Sequence, residues 1–77
     1  MARHIILDRS GHSVLEFDRN NKIEFVEAKR RYEALVAKGF IPAERRGGGS
    51  HYVPVKGERV FNPNAEETVF IPALIGG

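Results

Sequence analysis

The chain has no cysteine, no tryptophan and only one methionine, and its N-terminal region carries no long apolar run. Without thiols, neither a disulfide framework nor a thiolate metal site can brace it, so packing alone has to hold the fold. Ile5-Ile6-Leu7 is the longest strongly apolar run near the N-terminus. That is too short for a signal-peptide core or a membrane span, and a cytoplasmic address is the expectation. Charge of one sign is lacking too. Twelve Lys and Arg face ten Asp and Glu, a net charge of +2, and the signs are interspersed as on an ordinary wetted surface. Such a surface permits nucleic-acid binding without requiring it, no membrane partner is expected, and a monomer is expected.

What is present fits one small domain. A chain of 77 residues buries only about 60% of the surface it exposes when unfolded, so stability is modest. An apolar fraction of 42%, with two Tyr and five Phe, argues against disorder. No internal repeat or heptad is visible. "HIILDRSGHSVLEFD" reads as two strands around a Ser-Gly turn. Placing Ile5 opposite Phe17 and Leu7 opposite Leu15, over a three- or five-residue loop, collects four apolar side chains on one face. That register leaves His4, Ile6, Asp8, Val14, Glu16 and Asp18 on the other face.

A helix is expected from about Lys22 to Lys38. Asn21 is a suitable N-cap and Glu24 completes a capping-box pattern. Phe25, Ala28, Tyr32, Leu35 and Val36 form one apolar stripe, and Glu27 and Arg31 are an i,i+4 pair on the wet side. Gly39 suits the left-handed position after the helix, with Phe40 packing back on Leu35. Short strands then follow in "FIPAE", "HYVPV", "RVF" and "TVFIP". Pro42 and Pro54 cannot donate to a ladder, which assigns their strands to an edge or a bulge, whereas "TVFI" suits a central strand. "RRGGGS" is a connector and "NPNAEE" a turn cluster.

A hairpin, one helix and a last strand that is central make an α+β domain in the order of a β-grasp sheet, with four to five strands in a mixed sheet. The domain is expected over residues 1–72, with a tail at 73–77. One helix covers one face. Ile6, Val14 and Phe70 are then expected on the uncovered face, as a partner surface.

The stretch "FNPNAEETVFIPALIGG" resembles the C-terminal end of ubiquitin-like β-grasp proteins, especially sulfur carriers of the kind found as the small subunit of molybdopterin synthase. The resemblance covers about the last 17 residues and, more loosely, the order of hairpin and helix. It departs from the family between helix and last strand, where a glycine-rich connector and two proline-bearing strands replace a further helical segment. The resemblance implies a carrier or modifier activated at Gly76 and Gly77 by an E1-like adenylating enzyme. That partner uses ATP, and the carrier itself binds no cofactor. The sulfur acceptor or protein target, and the choice between thiocarboxylate and isopeptide chemistry, stay open. A side-chain-free tail suits a narrow channel because glycine adopts backbone angles that other residues avoid. The plain alternative is a frayed chain end.

Other constellations carry less. His4, His12 and His51 lack metal-ligand spacing, so no metal is expected and the three are read as surface residues of the hairpin and strands. Ser10, Ser13, His12 and Asp8 are better explained by a turn than by a nucleophile and base, and no catalytic residue is assigned, so the chain is read as a non-enzyme. The competing function is a small binding module. It would engage a protein through the open sheet face or a sheet edge, or nucleic acid through Arg45 and Arg46 with Tyr52 as a stacking ring. Helical Lys29, Arg30 and Arg31 are interleaved with Glu27 and Glu33, which weakens the nucleic-acid reading.

Overall fold

The structure, a computed structural model, describes residues 1–8, 11–45, 49 and 51–72. Its elements are β1 (Ala2–Asp8), β2 (Gly11–Phe17), α1 (Lys22–Ala37), β3 (Ile41–Arg45), β4 (Val53–Pro54) and β5 (Glu67–Ile71). They make a small α+β domain with one helix among the described residues and a mixed five-stranded sheet in the order β2-β1-β5-β3-β4. β1 and β5 run parallel, and the other neighbours are antiparallel. The expected "TVFI" strand is thus the central one. "RVF" forms no strand and the "HYVPV" strand shrinks to two residues.

The helix begins and ends on the signals that marked it. The Asn21 side chain accepts from the backbone N–H groups of Ile23 and Glu24 at 3.0 and 3.2 Å, which satisfies two of the donors a helix start leaves unpaired. Glu24 does not close the expected box on Asn21. Its Oε1 reaches further back and accepts from the Asp18 N–H at 3.2 Å, because the Asn21 N–H already donates to the Asp18 carbonyl. At the other end Gly39 takes φ +99°. The Phe40 N–H then donates to Leu35 O, and the Gly39 N–H to Val36 O, both at 3.0 Å, which is a Schellman cap.

The hairpin corrects the expected register. Ile5 faces Val14, His4 faces Leu15 and Ala2 faces Phe17, with Asp8 opposite Gly11. Only residues 9 and 10 lie between the strands, so the loop is two residues and not three or five. Ladder partners share a face, so Ala2, His4, Ile6, Leu15 and Phe17 turn together toward the helix. Ile5, Leu7, Val14 and Glu16 turn away. His4 thus pairs with Leu15 and not with Asp18, which the expected register set opposite it, and it is buried beside α1.

Pro42 also departs from expectation, since β3 is an interior strand. Its carbonyl accepts from the Val55 N–H at 3.0 Å. In an antiparallel strand the N and O of one residue point the same way, so the missing donor faces β4, which pairs with β3 only at Ala43 and Glu44. The proline thus sits at the end of the short β3–β4 pairing, where its carbonyl still accepts one bond and only the returning donor is missing.

Beneath the helix, Ala2, Phe17 and Ala28 form one buried cluster and Tyr32, Leu35 and Phe70 another. Phe61, from the irregular segment before β5, packs on both and stacks edge-on against Phe25, Tyr32 and His4 at centroid distances of 5.4, 5.7 and 6.0 Å. An aromatic ring from a loop thereby closes the helix side of the core.

Candidate functional site

The face of the sheet turned away from α1 holds Ile5 and Leu7 of β1, Val14 of β2, Val69 and Ile71 of β5 and Ile41 of β3, placed together by the ladder registers. Val14 is 47% exposed and Ile71 39%; the other four are half-buried. β5 ends beside Ile41, and the following Pro72 is exposed. A proline supplies no donor to prolong a ladder, and β5 ends at Ile71. This end of the face is apolar.

The opposite end is charged. Arg3, Glu67 and Arg45 occupy matching positions on three adjacent strands. Glu67 Oε2 receives Arg3 Nη2 at 3.2 Å and Arg45 Nη2 at 3.3 Å, while the Tyr52 hydroxyl donates to Oε1. Arg45 Nη1 also reaches Glu66 Oε2 and the Gly49 carbonyl, each at 3.2 Å. The Tyr52 hydrogen bond foremost, with Arg45 and Arg3, holds the Glu67 carboxyl below its ordinary pKa against the opposing effect of burial. That same bond to Glu67 pushes the Tyr52 hydroxyl up. The arrangement stitches β1, β5 and β3 together through one carboxylate.

On the helix side His4 is 2% exposed, with its ring 5.0 Å from those of Phe17 and Phe70. Its Nδ1 accepts from Arg31 Nε at 3.3 Å. Burial, helped by the Arg31 charge, lowers its pKa to about 4, so the ring is neutral near pH 7. Burial lowers Arg31 as well. His4 is sealed from solvent and acts as a polar member of the core; the expectation that it is a surface residue was wrong. The neighbouring Tyr32 hydroxyl is buried and has no hydrogen-bond partner among the described residues.

A cleft of about 740 Å³ opens beside β4, walled by Val53, Val60 and Phe61 and bordered by Lys56 and Glu58. Glu44, 6% exposed, lies in its wall and accepts from Asn62 Nδ2 at 3.2 Å. Among the described residues no group of three or more His, Asp or Glu could hold a metal ion, and no helix is long and apolar enough to cross a membrane.

These positions redistribute the expected site. Val14 lies on the open face, as expected. Ile6 and Phe70 do not: Phe70 is fully buried under α1 and Ile6 packs beside it, because the two-residue loop reverses which side of β1 faces the helix. Arg45 and Tyr52 come together, but on Glu67, so the Arg45 charge is already opposed by carboxylates. Arg46, Gly76 and Gly77 lie outside the described residues. The sequence reading missed Ile5, Leu7, Val69 and Ile41 as the surface and Glu67 as the clamp. The alternation of "ETVFI" about Phe70 could have separated Val69 from Phe70, had the register been known. No protein-family model, curated protein or solved structure matches the chain.

Proposed function

We propose that the domain is a ubiquitin-like β-grasp carrier, activated at the Gly77 carboxylate once that group is free. The observation that carries the proposal is the return of the last described strand to the middle of the sheet, beside β1 and β3, with that strand ending just before an exposed Pro72 and Gly76-Gly77 following shortly in the sequence. A hairpin, a helix and a final central strand form the β-grasp order. In the proposed reaction a carboxylate oxygen of Gly77 attacks the α-phosphorus of ATP, bound by a separate adenylating enzyme. An acyl-phosphate bond forms and pyrophosphate leaves. Hydrosulfide or a lysine amine then attacks the acyl carbon, the acyl–phosphate bond breaks and AMP leaves, giving a thiocarboxylate or an amide. Ile5, Val14, Val69 and Ile71 offer the adenylating enzyme an apolar surface that reaches the end of β5, and docking there would set the reach of the carboxylate, which governs much of the rate.

The test uses an N-terminally tagged chain ending at Gly77, incubated with ATP in an extract of the source organism and recovered for intact mass measurement. An ATP-dependent sulfur-for-oxygen exchange or a new isopeptide at Gly77 is expected. Deleting Gly76 and Gly77, or adding one residue after Gly77, should abolish it while leaving the thermal midpoint in place. Ile71→Asp should reduce product without unfolding the domain. Equal product from the extended chain, or none from any chain, rejects the carrier.

A further inference from the structure

The two edges of the sheet are unlike. β4 is two residues long and ends on Pro54, which blunts its edge. β2 is the other edge, seven residues long, with neither proline nor lysine in "GHSVLEF", and all its residues but Phe17 are exposed. The direction of its free backbone groups can be derived. The Arg3 N–H donates to Glu66 O on the β5 side, so odd-numbered residues of β1 address β5 and even-numbered ones address β2. His4 with Leu15, and Ile6 with Ser13, are therefore the pairs that exchange hydrogen bonds across the hairpin. The N–H and C=O groups of His12, Val14 and Glu16 point away from the sheet.

We infer that this edge pairs with the same edge of a second copy of the chain, antiparallel about Val14, joining the two five-stranded sheets into one. The sequence of the edge is self-complementary in that register. Val14 meets the other copy's Val14, and His12 meets its Glu16 on both sides of the two-fold axis, an imidazole N–H donor opposite a carboxylate. On the helix face Leu15, 38% exposed, lies opposite Ser13. A parallel pairing would set Glu16 against Glu16. A shift of two residues would place His12 or Glu16 opposite a residue outside the strand, and a shift of one would mismatch the donors and acceptors. The register about Val14 uses all three outward-facing residues and opposes unlike groups. It also supplies partners for a strand edge that is otherwise a template for uncontrolled association. This pairing departs from the monomer expected of the sequence, and it does not depend on the carrier reading.

Sedimentation equilibrium of the full chain from about 10 µM to about 1 mM should show reversible dimerisation. Amide exchange at His12, Val14 and Glu16 should slow as concentration rises, while Ser13 and Leu15, already bonded to β1, should not respond. Val14→Pro removes only an outward donor, so it should leave the hairpin ladder intact and give a monomer of native circular dichroism. Glu16→Lys or His12→Glu alone should weaken association about tenfold or more, since both symmetric pairs become unfavourable. H12E combined with E16K should restore it, and that rescue keeps the test decisive should Val14→Pro fail to fold. A monomer at every concentration with freely exchanging edge amides overturns the inference. So does a dimer that survives Val14→Pro, or one that the double reversal does not rescue.

Discussion

His4 is a titratable ring in a place built for an apolar one. In an unfolded chain a histidine titrates near 6.5, whereas burial and Arg31 bring this one to about 4. Between those values the unfolded chain takes up a proton that the folded chain refuses. Stability therefore falls as pH drops from about 6.5 to about 4, by roughly 3 kcal/mol in all, and this contribution is constant above and below that window. Glu67, whose folded pKa is depressed, adds a further loss at lower pH as it protonates. Urea unfolding at a series of pH values should show the first slope in the native chain and lose it in His4→Gln, which keeps an acceptor for Arg31 without the charge; an unchanged slope in that variant would remove His4 as the cause. Tyr32 gives the opposite case. Its buried hydroxyl has no hydrogen-bond partner among the described residues, and such a group costs about 1–3 kcal/mol, so Tyr32→Phe is expected to raise the unfolding free energy or leave it unchanged. A clear loss of stability would mean that the hydroxyl is satisfied after all.

At the scale of the element, the helix was legible because its signals are local. Asn21, the stripe from Phe25 to Val36, and Gly39 each act within one or two turns, and the structure uses all of them. Gly39 at φ +99° leaves open space where a Cβ would go, so Gly39→Ala should cost only the backbone strain of that conformation, about 1–2 kcal/mol. Asn21→Ala should cost about 1 kcal/mol through the two lost cap bonds. Chemical denaturation of both variants checks these values, and a neutral Gly39→Ala would show that the cap is not held. The hairpin was legible as a hairpin but not in register. Ile5, Ile6 and Leu7 are apolar in succession, as in a strand covered on both sides, so alternation could not say which faces the helix. His4 obscured the choice further by being a core residue of polar type. Once β5 lies beside β1 and the turn takes two residues, Ile6 goes in and Ile5 goes out. Two of the three expected surface positions changed sides with it.

For the whole molecule, the decisive feature is that the sheet is completed from its C-terminal end. β5 stands between β1 and β3, and it brings Phe70, fully buried, and Thr68, 3% exposed, under a helix made long before it in the sequence. Without β5 the N-terminal hairpin and β3 share no neighbour, Tyr32 and Leu35 lose the ring they pack on, and Arg3 and Arg45 lose the carboxylate between them. Such contacts link distant parts of the chain and cannot be recovered by local propensity. This is also why the sequence showed "TVFI" as a central strand but not which of its side chains would face a partner. A chain ending at Glu66 should therefore show no cooperative thermal transition, while one ending at Pro72 should unfold cooperatively at the midpoint of the full chain. Phe70→Ala should fall between them, at a cost of about 3–5 kcal/mol. If the chain ending at Glu66 kept a sharp transition near the same temperature, the hairpin and helix would be stable alone. β5 would then be an accessory strand, and its central place in the sheet would no longer support the β-grasp reading.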